Sequence, residues 1–501
     1  MKRAMKRPLI SAVAVTVALG ALAPGTAFAH GFGERYDLPV PLGLYLTAAA
    51  AAVVLSFVAI GLFARSGIGA TYPRKNLLEW RVGRAIASPW TLGVFKALSI
   101  VIFVVYLVAG LFGTNDPTAN IVPTMTWVIF WVGIAYVSAL VGNVWALISP
   151  WTVLFGYAET AYARITGGDL ARYAPYPAAL AGWPALGLFF VFAWVEIVYV
   201  DSSVPFNIAN LVLAYSFVTF AGMWWFGRDA WLRNGEVFAI ALGFFAAFAP
   251  TEVRTDGDGE ATVNDYQAYG DAAPADRGFN VRPWGVGLLA ASPLDVSRAM
   301  LLVVMLATVS FDGFVETGTW TRVLRSSLFD FFGPRAFTGI TTLGLLAAPL
   351  LALGIFALTA WLMGLVVGSK IGVIAIMRTF AYSLVPIAIA YHIAHFFSFL
   401  AIQGQRVFSL ASDPLGWGWD LFGTADAGVD IGIVNARFVW FLSIGAIVLG
   451  HIAAVTIAHG FAQRVFPGKG QAVLSQYPML VLMAGYTMAS LWIVAQPIVA
   501  G

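Results

Sequence analysis

The residues of this chain best equipped for chemistry are its histidines. There are five in 501 residues and no cysteine, and four of them, His392, His395, His451 and His459, fall inside or at the ends of strongly apolar stretches. Ionisable side chains at membrane depth are costly and are functional candidates by default. In Tyr391-His392-Ile393-Ala394-His395 the i,i+3 spacing sets the two imidazoles about 60° apart on one helical face, with about 4.5 Å of rise between them. That spacing suits two ligands of a zinc or copper ion, with His451 as a third, and it also suits a proton or substrate relay. Pro386, six residues before His392, loosens the helix and frees a backbone carbonyl. His451 and His459 stand eight apart, about 80° of rotation and about 12 Å of rise, too far to share an ion on a straight helix. His451 is therefore expected to face His392 and His395, and His459 to lie near the cytoplasmic end. The plain alternative for each histidine is a hydrogen bond to a neighbouring helix.

Acidic residues stranded in apolar runs form a second group: Glu196, Glu236 and Asp312. Glu196 and Asp312 lack a nearby basic partner in sequence and are the candidate general bases or additional metal ligands. Glu236 stands three residues after Arg233 and is expected to pair with it at the cytoplasmic interface. Asp256, Asp258 and Glu260 resemble the start of a calcium loop, but Gln267 at the twelfth position cannot supply the bidentate carboxylate. No nucleophile-elbow, phosphate-loop, His-Glu-x-x-His or dinucleotide fingerprint stands in a usable context. This argues against a serine hydrolase, a nucleotide-driven pump and a dinucleotide enzyme. There is no haem signature, and the absence of cysteine removes thiolate chemistry and Cys-type zinc sites.

The elements that position these groups are membrane helices. With 60% hydrophobic and 11% charged residues and a mean hydropathy of +0.83, the chain cannot cover a soluble body with polar surface. The expected class is an all-α polytopic membrane protein, with the bilayer as partner and no nucleic-acid-binding face. Lys2, Arg3, Lys6 and Arg7, an apolar run and Ala27-Phe28-Ala29 read as a signal peptide over 1–29. Cleavage there leaves an N-terminus outside the cytoplasm whose His30 can chelate copper through its amino group and ring. Candidate spans follow near 42–63, 91–113, 124–147, 179–200, 205–226, 235–249, 299–316, 339–365, 380–402, 436–461 and 476–499, ten or eleven crossings of about 30 Å. They group as N-terminal helices over 30–250, an acidic, mobile loop over 251–298 and the histidine-bearing helices over 299–501. Arg65, Arg74, Lys75, Arg81 and Arg84 mark the first long loop as cytoplasmic, whereas Thr114 to Ile121 holds no Lys or Arg. The 235–249 stretch is short and 299–316 contains Asp312 near its end, so these two are the candidates for re-entry, and parity requires one candidate not to cross. The expectation is 299–316.

Four strings carry a resemblance: His30-Gly-Phe-Gly-Glu-Arg-Tyr-Asp-Leu-Pro-Val-Pro-Leu42, Ser149-Pro-Trp-Thr-Val-Leu-Phe155, Leu232-Arg-Asn-Gly-Glu-Val-Phe238 and Ser310-Phe-Asp-Gly313. The chain resembles a family of bacterial inner-membrane proteins often labelled fenitrothion hydrolase. The resemblance implies hydrolysis of an apolar organophosphorus ester and supplies no assigned catalytic residues. A metal-bound water at His392, His395 and His451, with Glu196 or Asp312 as base, fits such chemistry. A non-enzymatic secondary transporter or a copper-handling protein fits the same inventory.

Overall fold

The computed structural model describes residues 36–63, 72–255, 262–263, 277–326, 331–466 and 468–499. Among these residues nine helices are long and apolar enough to span a bilayer. In chain order the elements are α1 (Leu42–Phe63), β1 (Lys75–Asn76), α2 (Pro89–Phe112), α3 (Ile121–Leu140), α4 (Pro150–Thr166), α5 (Trp183–Ile197), α6 (Pro205–Phe226), α7 (Val237–Phe248), β2 (Thr251–Thr255), β3 (Thr262–Val263), β4 (Arg277–Val281), α8 (Val296–Val315), α9 (Ala336–Val366), α10 (Val373–Gln403), α11 (Ala436–Val465) and α12 (Tyr477–Ile498). The protein is an all-α polytopic membrane protein. Residues 1–29, expected to be a signal peptide, and His30 lie outside the described residues.

Loop contacts divide the ends of the helices between two faces. On one face β1, which follows α1 and carries Lys75, pairs antiparallel with β4, and β4 pairs with β2, in a sheet ordered β1-β4-β2-β3. The same face collects the start of α5, where Gly182 N donates to Ser297 Oγ over 2.7 Å, and the end of α11, where the Arg464 guanidinium reaches Leu289 O. On the opposite face Thr114 N and Ile121 N donate to Leu415 O (2.8 Å) and Pro414 O (3.2 Å). There Trp127 Nε1 also donates to Ser202 O over 3.0 Å. The loop 404–435 thus shares a face with the loop that lacks Lys and Arg, and the sheet shares one with the arginine-rich loop.

This arrangement corrects the expectation for 299–316. Helix α8 starts on the arginine-rich face, where Arg298 binds Asn234 Oδ1 at 2.9 Å and Asp295 Oδ2 at 2.9 Å, and runs through to the other side. The element that turns back is α7. It follows Arg228 and Arg233 and leads directly into β2, so both its ends lie on the arginine-rich face. Twelve residues reach only about 18 Å, short of the hydrocarbon thickness. Its buried N-terminus is capped from within the bundle, because the Glu236 carboxylate accepts from the backbone N–H of Phe238 and Ala239 and from the Tyr215 hydroxyl. The expected local pairing with Arg233 gives way to this cap, since the exposed N–H groups of a helix start buried in the bundle need an acceptor.

The flanks of the expected mobile acidic loop are also ordered. Glu252 in β2 is fully buried and binds Arg282 Nη1 at 2.7 Å and the Tyr72 hydroxyl at 2.9 Å. A buried ion pair persists when further hydrogen bonds satisfy both partners. Asp256, Asp258, Glu260 and Gln267 lie outside the described residues.

Two interruptions shape the helices around the interior. Over Thr124–Ile134 the hydrogen bonding of α3 widens to i→i+5, and α10 tightens to a 3₁₀ turn at Ala381–Leu384 just before Pro386. Such interruptions concentrate at functional sites. Helix α10 crosses α11 at very close range: a Cβ at Gly450 would lie 2.3 Å from Ala390 Cβ and 2.8 Å from Pro386 O. Small residues permit this approach where lipid supplies no hydrophobic drive between helices. Gly450→Leu is expected to destabilise the detergent-solubilised protein by about 1–3 kcal/mol, the usual cost of overpacking, read as a lower midpoint of thermal unfolding. Because the chain has no cysteine, sidedness is directly testable. Single cysteines at Lys75 and Asp229 should react with an impermeant maleimide from one side of the membrane, and a cysteine at Asp420 from the other.

Candidate functional site: a buried histidine–carboxylate cluster

Helices α8 and α10 bring together one histidine and one acid that the sequence presents 83 residues apart. His395 Nε2 and Asp312 Oδ2 lie 2.9 Å apart, with the imidazole 1% and the carboxylate 26% exposed. The pair is therefore sealed at the imidazole and open at the acid. Two more carboxylates act on it electrostatically. Glu196, one residue before the end of α5, interacts electrostatically with Asp312 and faces the Trp131 indole N–H. Glu316, one turn beyond Asp312 just past the end of α8, acts on His395.

Gly313 makes this approach possible. A Cβ there would lie 2.7 Å from the Tyr391 hydroxyl, 2.9 Å from Ile493 Cγ2 and 3.4 Å from His395 Cε1. The Tyr391 ring stacks on His395 at 6.0 Å and 26°, and its hydroxyl, although buried, has no hydrogen-bond partner. Alongside, Ser310 on α8 hydrogen-bonds the Tyr486 hydroxyl on α12. The interior beside the pair is thus polar on the α8, α10 and α12 sides.

The remaining histidines go elsewhere. The His392 imidazole sits edge-on among aromatic rings, 5.6 Å from Trp131, 5.6 Å from Tyr136 and 4.8 Å from Phe396. His451 donates from Nδ1 to Ile447 O over 2.8 Å, because a carbonyl can only accept, and its ring lies 5.9 Å from Tyr486. His459 sits near the arginine-rich face between two glutamines, with Nδ1 3.1 Å from Gln476 Nε2 and Nε2 3.0 Å from Gln463 Nε2. Among the described residues no three His, Asp or Glu side chains are grouped to hold a metal ion. The ligand set expected from His392, His395 and His451 is therefore not assembled. One helical turn sends His392 toward α3 and His395 toward α8, and α11 presents His451 to its own backbone and to α12.

Of the expected candidates, Asp312 contacts His395, and Glu196 acts electrostatically on Asp312. Sequence reasoning placed Glu196 or Asp312 beside the histidines as base or extra ligand, but it did not single out Asp312 as the partner of His395, and it missed Glu316, Tyr391 and Trp131. Asp312 and Glu316 are i,i+4 on α8, and Tyr391 and His395 are i,i+4 on α10, so each couple was readable as one helical face. No family model matches the chain, and neither the curated proteins nor the solved structures include a match.

Chemically, the cluster can hold and pass a proton. Imidazole exchanges protons near neutral pH, and a carboxylate bonded to one ring nitrogen fixes its orientation and tautomer. Gly313→Ala is expected to push Tyr391 and His395 off the α8 backbone. A nuclear magnetic resonance titration of selectively labelled histidine should then show the His395 signal shifted toward that of a histidine lacking a carboxylate partner, with the His459 signal unchanged.

Proposed function

We propose that the protein is a proton-coupled secondary carrier for an apolar small molecule, with His395 and Asp312 as its proton-binding pair. The observation that carries this reading is the 2.9 Å contact between a sealed imidazole and a carboxylate that reaches the edge of the bundle. Intramembrane His–carboxylate pairs mark proton relays in pumps and transporters. The surroundings support it: a half-helix with a buried start, α7, and two interrupted helices, α3 and α10, flank the site, and discontinuous helices build the binding sites of many secondary carriers.

In this mechanism Asp312 takes a proton at the open end and shares it with His395 Nε2. Uptake removes one negative charge from a cluster that also holds Glu196 and Glu316. Repulsion among the three acids falls, and α5 and α8 can close on each other. Release of the proton restores the repulsion and favours the open arrangement. Solute drives the cycle by binding one arrangement more tightly than the other.

A second reading rests on the same contact. An imidazole oriented by a carboxylate is also a general base for water, and hydrolysis of an apolar organophosphorus ester is the activity that the resemblance implies.

Fenitrothion serves as a probe for both readings. In sealed proteoliposomes bearing a pH gradient, its addition is expected to dissipate the gradient with the wild-type protein. His395→Gln and Asp312→Asn should reduce that flux to the level of protein-free vesicles while inserting normally. Ester turnover in detergent without gradient dissipation would replace the carrier by the hydrolase, and flux that survives in both variants would remove the pair from the mechanism.

A further inference from the structure

The loop 404–435, on the face opposite the arginine-rich one, is held in shape by its own hydrogen bonds. The Asp413 carboxylate accepts from Trp417 N over 2.9 Å and from Gly418 N over 2.7 Å, the Ser412 hydroxyl oxygen accepts from Phe422 N over 3.0 Å, and Asp420 Oδ1 accepts from Ala425 N over 3.0 Å. Two further bonds join Asp430 to Gln405 just past the end of α10: Asp430 N donates to Gln405 Oε1 over 2.9 Å, and Gln405 Nε2 donates to Asp430 O over 3.0 Å. Short acidic side chains commonly bind loop backbone in this way. The large apolar side chains are left facing outward. Trp417, Trp419, Leu421 and Phe422 are between 41% and 71% exposed, and the two indoles pack edge to face at 5.2 Å. A contiguous uncovered patch of this kind marks an interaction surface.

Its place in the fold says what covers it. Gly416 lies against the turn between α2 and α3: a Cβ there would stand 2.3 Å from Thr114 Cγ2 and 2.7 Å from Ala119 O, and Thr114 N donates to Leu415 O. Trp417 is therefore carried at the end of α2 on this face. Of the nine described spans α2 is the least buried, so it runs along the lipid perimeter of the bundle, and its last residue, Phe112, is 67% exposed. The apolar side chains of the loop thus continue the lipid-facing surface of α2 past its last turn, where hydrocarbon gives way to headgroups. Trp is enriched at that depth because its ring is apolar and its N–H finds polar partners there. The attraction is not electrostatic, since the loop holds Asp413, Asp420, Asp426 and Asp430 against Arg406 alone, a balance that anionic headgroups repel.

We infer that Trp417, Trp419, Leu421 and Phe422 insert into the headgroup region of the bilayer leaflet on this side, which makes the loop 404–435 an interfacial anchor. Its partner is the lipid surface itself, and zwitterionic lipid suffices. The anchor also reaches the interior, because the loop grips both interrupted helices: Pro414 O accepts from Ile121 N at the start of α3, and Gln405, bonded to Asp430, follows α10 directly. Insertion holds these two helix ends at one depth. The inference concerns the lipid contact and stands without the carrier reading.

Because the chain has no cysteine, nitroxide labels on single cysteines report depth residue by residue. In phosphatidylcholine proteoliposomes, labels on Trp417→Cys and Phe422→Cys are expected to collide several-fold more with dissolved oxygen than with a water-soluble nickel chelate. A label on Asp426→Cys, an exposed position of the same loop, should show the reverse. If removing an indole disturbs the loop, Leu421→Cys gives the same reading with both tryptophans in place. Access of the chelate to the apolar positions equal to its access at Asp426→Cys would mean that the loop stands in water, and overturns the proposal. Shielding of the apolar positions from both reagents would put them under protein, a second copy of this chain in such vesicles, and overturns it as well.

Discussion

Placing a histidine and an acid in contact inside an apolar bundle is the constraint to which the surrounding structure answers. An ionisable group withdrawn from water loses its hydration and needs a partner with suitable geometry in return. His395 obtains that partner in Asp312 at 2.9 Å, and the approach requires the backbone of α8 to pass directly under the ring. Only glycine at 313 leaves room for Tyr391 and His395 there. The same logic acts one layer further out, where Gly450 lets α11 seat against α10 and the Ser443 hydroxyl on α11 donates to Ala394 O on α10.

The interruptions in the helices follow from the demand that backbone groups be satisfied within the bundle. Where α7 begins, Glu236 and Tyr215 supply what the missing preceding turn would have supplied. Where α10 tightens before Pro386, the ring nitrogen has no N–H to leave unpaired. These adjustments leave α7, α3 and α10 with ends or joints inside the membrane-spanning region. They are the places at which the bundle can change shape without breaking a continuous ladder of hydrogen bonds. The His395–Asp312 pair joins α10 to α8 one turn before the end of α8, with the carboxylate 26% exposed.

Much of the fold was legible from hydropathy and charge. Every expected apolar stretch is a helix, with ends displaced by a few residues, and Lys/Arg placement sorted the loops onto the faces where contacts put them. The error at 299–316 arose because Asp312 was read as a sign of incomplete insertion. In the bundle that acid is stabilised by His395, so α8 spans despite it, and the shorter 235–249 stretch turns back because it cannot cover the thickness. The candidate site was legible as an inventory. Glu196, Asp312 and His395 were all singled out, with the acids placed beside the histidines as base or extra ligand, but the direct pairing of Asp312 with His395 was not foreseen, and the metal ligand set was drawn from residues that face three different neighbours.

Composition and periodicity are properties of the chain taken a helix at a time, because the transfer of each side chain from water to lipid is a local free energy. The sequence alone therefore determined the membrane class, the approximate spans, their relative sidedness and the short list of ionisable residues able to do chemistry. Which of those residues meet depends on how each helix is rotated about its axis and how closely two backbones approach. Those quantities are set by packing between segments far apart in sequence. Only the tertiary structure brought Asp312 to His395, turned His392 toward Trp131, left His451 on its own helix, and made α7 rather than α8 the element that fails to cross.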